Sequence, residues 1–299
     1  MYTLLRKCHT LNLPIDSQLE LFDQTVLPIL TYGCELWGME NCDMLEQIRL
    51  RFLKMVLKLN SKTPNYIVMG ETGKISMDSI IKKRMLNFWI KISTGKPNKI
   101  SRIIYDILKQ EQLLLQCKWS SHIKLQLDQL GLGYMWLGND KIDIAISQNI
   151  IDRRVMDQSL QLIHESMQNS NKGKLYDFIK SKVAWEECPF FLTKLSLKEA
   201  LPILKIRSSN NNFPVELGRR AKIDYEYRKC PFCITEVGDA FHYLLVCKKF
   251  GNQRKKYLKK YYYSRPNVEK LAELLNLRSK KHLIKLSVFA RELLLAFKG

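Results

Sequence analysis

Four residues constrain this chain more than any others: Cys230, Cys233, His242 and Cys247, spaced C-x2-C-x8-H-x4-C. Thiolates and imidazoles at such spacing are the ligand types of a tetrahedral zinc site. The C-x2-C turn, with Pro231 inside it, presents two ligands from one tight loop. The apolar stretch Phe241-His242-Tyr243-Leu244-Leu245-Val246-Cys247 reads as one or two helical turns that supply the other two. The competing reading is three reduced cysteines and an ordinary histidine. Four ligand-type residues within 18 consecutive positions weigh against it. No water-activating group stands nearby in sequence, so the zinc is expected to be structural, with a closed ligand shell.

Positive charge gathers around the same segment. Residues 205–260 hold 14 Lys and Arg against 5 Asp and Glu, a net +9. Residues 1–60 hold 6 against 7, a net −1, although the whole chain carries +20. Arg207, Arg219, Arg220, Arg228, Lys229, Lys248, Lys249 and Arg254 are therefore the expected contacts to a phosphate backbone of RNA or DNA. Two alternatives stand beside this. A basic surface also serves solubility, and some of these arginines have Glu216, Asp224 or Glu226 as nearby partners. Phe232 and Tyr243 adjoin the ligands and are placed either to stack on bases or to pack over the metal, packing being the commoner role.

The remaining pattern is helical. Residues 17–30 form an apolar helix candidate broken at Pro28. Gly33 and Gly38 bracket Trp37. Asp43 and Glu46 resemble a capping box, followed by Leu45, Ile48, Phe52, Met55, Val56 and Leu59 at helical spacing. Residues 61–73, with Pro64, Gly70 and Gly73, read as a loop. Met77, Ile80, Ile81, Met85, Phe88, Trp89 and Ile92 share one helical face, with Lys82, Lys83 and Arg84 expected to point away. Further helices are expected over 103–115, 119–130, 144–167 and 174–185. The glycine-rich run 131–138 reads as a tight turn, because no clear strand precedes it to make a phosphate loop. Residues 279–297 form a basic-headed amphipathic helix, expected to dock on the zinc unit rather than to await a partner.

The expected fold is mainly α. Helical, bundle-like N-terminal and middle regions (1–60 and 61–200) precede a small zinc-stabilised Cys/His unit (201–262) and a C-terminal amphipathic segment (263–299). No apolar run approaches the ~18 residues of a membrane span, so no membrane partner is expected. Cys8, Cys34, Cys42, Cys117 and Cys188 are scattered and odd in number, which points to a reducing, intracellular setting.

Several segments, in order, resemble the region downstream of the polymerase in non-LTR (LINE-type) retrotransposon reverse transcriptases. They are Leu27-Pro28-Ile29-Leu30-Thr31-Tyr32-Gly33 with Trp37, then Met69-Gly70-Glu71-Thr72-Gly73 followed by Ile80-Ile81-Lys82-Lys83-Arg84-Met85 and Phe88-Trp89. Next come Leu204-Lys205-Ile206-Arg207 with Phe213-Pro214-Val215-Glu216-Leu217-Gly218-Arg219, and last the Cys230, Cys233, His242, Cys247 set. The resemblance spans residues 1–260. It implies a nuclear or cytoplasmic protein that handles RNA and target DNA, with the first segment in a thumb-like helix and the zinc region as a non-catalytic nucleic-acid contact. Ala240 stands where that family often has an acidic residue before the ligand histidine, which puts a local helix cap in doubt.

Polymerase chemistry needs paired carboxylates that hold two metal ions, and the chain contains no Asp-Asp pair. Glu186-Glu187 lies in a Trp-Glu-Glu-Cys-Pro break and reads as loop charge. His9, His122, His164 and His282 adjoin no nucleophile. The chain is thus expected to be a C-terminal portion without the catalytic palm. The polymerase part of the same element is its expected partner. A helical interaction protein with no nucleic-acid role is the alternative.

Overall fold

Apolar residues at a period near 3.6 dominate the sequence, and helices follow from them. The computed structural model describes residues 2–11, 13–40, 42–110, 117–137, 143–170, 173–180 and 188–297. Among these residues the secondary structure is helical, with one isolated antiparallel bridge between Lys229 and Val237. No helix among them is long and apolar enough to cross a membrane. Glu186 and Glu187 lie outside the described residues, as do 111–115 and 181–185 of two expected helices.

The chain divides into two units that do not follow the expected segments. One comprises residues 1–22, 50–74 and 166–299; the other comprises 23–49 and 75–165. The second unit is built on the Met77–Ser93 helix, which buries Ile81, Met85, Leu86, Trp89 and Ile90 among Ile123, Leu127, Met135, Ile151 and Val155. Gly33 takes φ +66° to start the Cys34–Trp37 turn, and Gly38 lies so close to Ile81 that a Cβ there would clash. Lys82, Lys83 and Arg84, expected to point away from the apolar face, each meet a polar partner, and Lys82 is largely covered. Lys82 donates to Gln158, Lys83 pairs with Asp152 at 2.7 Å and Arg84 pairs with Glu35 at 3.2 Å. The two residues of the expected capping box take other places. Asp43 is the first residue of the Asp43–Val56 helix, and Glu46 instead accepts the Met77 N–H at 2.5 Å.

The first unit contains the sharpest departure from the sequence reading. Residues 65–72 are helical, the Asn65–Thr72 helix, and nearly all buried. Pro64 occupies its N-cap, and Gly73, at φ +65°, closes it by donating to the Met69 carbonyl. Pro and Gly here mark a helix's start and stop rather than a loop. The same helix presents Glu71, fully buried, to Arg207, also fully buried, near the end of the Leu197–Arg207 helix. That contact joins stretches assigned to separate segments by sequence. The Lys280–Leu295 helix packs along Leu197–Arg207 through Leu283, Leu286, Phe289 and Leu293, and Phe297 just beyond it reaches Phe213 and Tyr243 at 5.2 and 4.7 Å. The C-terminal helix thus docks beside the Cys/His unit.

Candidate metal centre

The Cys-x2-Cys knuckle is shaped by short backbone bonds. Cys230 N–H donates to Glu236 O at 2.8 Å, Ile234 N–H to Cys230 O at 2.8 Å and Thr235 N–H to Cys233 O at 2.7 Å. The tight reversal forces Ile234 to φ +64°, a region β-branched side chains avoid. The second half of the cluster lies on a wide turn, His242–Val246, whose π-type geometry is closed by Cys247 N–H donating to His242 O at 2.7 Å. Such wide turns are frequent at functional sites. Asp239 caps the turn through its carboxylate, which accepts the His242 N–H at 2.8 Å and the Tyr225 hydroxyl at 3.2 Å. The cap doubted at Ala240 is therefore supplied one residue earlier.

The four ligand atoms lie within 4.8 Å of one another. Cys247 Sγ is 3.9 Å from Cys230 Sγ and 3.6 Å from Cys233 Sγ. Two thiolates at ~2.3 Å from a tetrahedral zinc stand ~3.8 Å apart, so the observed spacings bracket that value. The second test is His242 Nε2, which is buried and has no hydrogen-bond partner. An orphaned ring nitrogen costs free energy, and a cation at the cluster's centre removes that cost. Residues and geometry thus fit a divalent ion held by three sulfurs and one nitrogen.

The electrostatics agree with a cation site. Burial pushes the Cys230 thiol up, but the polar groups around it, the Phe232 and Cys233 N–H groups among them, outweigh it and hold Cys230 below the usual thiol range. Cys247 is pushed up to about 12, by burial first and by the neighbouring thiols after it. Burial also lowers His242, with Arg254 aiding and the Asp239 and Glu236 carboxylates opposing, which favours the neutral ring that ligation requires. A doubly charged ion stabilises the second and third thiolates that burial disfavours.

The expected phosphate contacts part into two groups. Arg207 and Arg254 are buried and do not belong among them. Arg207 donates through Nε and Nη2 to Glu71 at 2.8–3.1 Å and through Nη1 to Leu275 O and Asn276 Oδ1 at 2.8 Å. Arg254 clasps the ligand turn, donating to Leu244 O at 2.8 Å, Tyr243 O at 3.2 Å and Cys247 O at 2.9 Å. The other six reach the surface to different degrees. Arg219 pairs with Glu216 at 2.7 Å, and Arg228 lies along Gly218 and donates to Ile223 O and Val215 O. Arg220, Lys229, Lys248 and Lys249 are exposed, with Lys249 over the Phe232 ring. Tyr243 is fully buried and packs, whereas Phe232 remains 41% exposed.

Sequence reasoning missed Asp239 as the cap, and it gave Arg254 a phosphate role where the structure makes it the clasp of the ligand turn. Only Asp239 left a local signal, an Asp three residues before the ligand histidine. The chain matches no family model, no curated protein and no solved structure.

Proposed function

We propose that this chain is a zinc-dependent nucleic-acid-binding module, the C-terminal part of a non-LTR-type reverse transcriptase without the catalytic palm. The observation that carries the reading is the Cys3His cluster at zinc-site spacing, with Lys229, Lys248 and Lys249 exposed next to its ligands in the chain. Zinc is the structural ion in this reading. Cys230, Cys233, His242 and Cys247 hold it, and all four positions of its tetrahedron are filled, leaving none for substrate. Bound there, an ion would tie the knuckle to the ligand turn and so fix the positions of Lys229, Lys248 and Lys249, which flank the ligands in the chain. RNA or DNA is the partner, through its phosphates. No polymerase step is assigned to these residues, because the chain lacks an Asp-Asp pair.

The test uses the full chain and a single-stranded RNA oligonucleotide. Binding is expected at physiological salt, to be lost on chelation, and to weaken with rising salt at about 0.7 log units per phosphate contact per log unit of salt. Equal binding with and without chelator, or a flat salt dependence, refutes the reading. A helical interaction protein is the second reading. The Ile100–Gln110 helix favours it, with Ile100, Ile103, Ile104 and Ile107 all exposed.

A further inference from the structure

Two clefts open on the unit that carries the ligand cluster, and Arg219 lines both. The first, about 710 Å³, adjoins the cluster and has the carboxylates of Glu216, Asp224 and Asp239 in its wall. Three acidic groups make it a poor receiver for an anion. The second, about 900 Å³, has no acidic side chain in its wall. Lys62, Arg219 and Arg220 line it together with the carboxamides of Asn60, Asn169 and Asn210. Among the described residues two of these cations have donors to spare: Lys62 is exposed and pairs with no acidic group, and Arg220 makes one 3.3 Å bond, to Asn211 O.

The fold brings these residues together from three distant stretches. The Asn60 carboxamide accepts the Lys62 N–H at 2.9 Å and fixes the turn before the Asn65–Thr72 helix. Tyr66 donates to Ser170 Oγ at 2.8 Å and holds the 169–170 stretch against that helix. Ser209, at φ +53°, ends the Leu197–Arg207 helix, and Asn210 N–H donates back to Lys205 O at 2.9 Å. A cleft with cations at its wall, amides as donors between them and no carboxylate matches a phosphate's charge and its several acceptor oxygens.

We infer that this cleft holds a backbone phosphate of the bound nucleic acid, extending the interface from the Cys/His unit to Lys62 and Asn169. The inference rests on the nucleic-acid reading above, and its test separates the two. Wild type, Lys62→Ala and Asn169→Ala full-length chains are titrated with the same single-stranded RNA, and zinc content is measured for each. Lys62→Ala is expected to weaken binding about 3- to 10-fold, to lower the salt slope by about 0.7 and to leave zinc content unchanged. Asn169→Ala is expected to weaken binding without changing the slope, since it removes no charge.

If wild type binds no RNA, the nucleic-acid reading fails and this inference falls with it. If wild type binds and both variants match it in affinity and slope, the inference alone fails. Orthophosphate separates a backbone phosphate from a free one. A phosphate-induced rise in melting temperature that Lys62→Ala abolishes, with RNA affinity equal in both proteins, assigns the cleft to a small phosphate species and overturns the backbone assignment.

Discussion

The buried Glu71–Arg207 pair allows a stability prediction worked from its contacts. Both side chains are fully inaccessible. Two guanidinium nitrogens meet the carboxylate, and the third bonds Leu275 O and Asn276 Oδ1. Phe191 covers the guanidinium at 5.3 Å, so no water is at hand to replace a lost partner. Glu71→Ala leaves a buried cation half-satisfied, a defect that costs about 3–5 kcal/mol. For a unit of ~150–250 residues each kcal/mol moves the melting temperature by about 2–4 °C, so the expected drop is roughly 6–20 °C. Arg207→Ala should cost about as much, for it strands the carboxylate and two acceptors. The double variant should cost well under the sum, with a coupling of about 2–3 kcal/mol, because a missing pair strands no charge. Urea unfolding followed by circular dichroism measures all four proteins. Additive losses, or a Glu71→Ala cost under about 1 kcal/mol, would refute the reasoning.

Three further outcomes are expected. Cys233→Ser should abolish zinc binding and the near-ultraviolet dichroism of the ring cluster around Tyr243, since structural zinc supplies on the order of 10 kcal/mol to such folds; unchanged metal content and spectrum would defeat the ligand assignment. Ile234→Gly should stabilise the metal-bound unit by about 1 kcal/mol, because the residue is 74% exposed and held at φ +64°; a lower melting temperature would show that its side chain matters more than its backbone. Glu46 gives a pH effect. Burial raises its carboxyl above the ordinary range, with Asp78 adding to this and the Met77 N–H and Arg49 opposing it. A raised folded-state value means its stabilising contribution is full below the unfolded value near 4.3 and is lost as pH rises through the folded one. The stability difference between wild type and Glu46→Gln should therefore shift in favour of wild type as pH falls from 7 to 4, and a pH-independent difference would contradict the shift.

What was legible in the sequence was local. The Cys/His spacing is a property of 18 residues, and the structure gathers all four ligand atoms. The Met77–Ser93 and Ile144–Gln168 helices declare themselves by periodicity within one segment. The 61–73 stretch failed for the same reason in reverse. Pro64 and Gly73 were visible as breakers, but the burial that makes a helix between them comes from residues far along the chain, such as Tyr176, whose hydroxyl reaches Ile67 O at 3.3 Å. A helix of eight residues is marginal alone and depends on such packing.

Arg207 and Arg220 are the same residue type in the same basic stretch, and charge counting treats them alike. One has a carboxylate 136 positions away delivered to it by the Asn65–Thr72 helix; the other has a single carbonyl and an open cleft. A guanidinium whose donors are met internally and shut from water cannot meet a phosphate without first breaking the fold, at a cost of several kcal/mol. One whose donors are unmet at the surface gains by meeting it. On the proposed function, nucleic-acid affinity should therefore follow the unmet donors rather than the local charge sum. Substituting Arg220 should lower affinity and spare the melting temperature, and substituting Arg207 should do the opposite when binding is measured well below its melting point. Parallel losses in both properties for both residues would show that charge density, and not donor availability, governs binding.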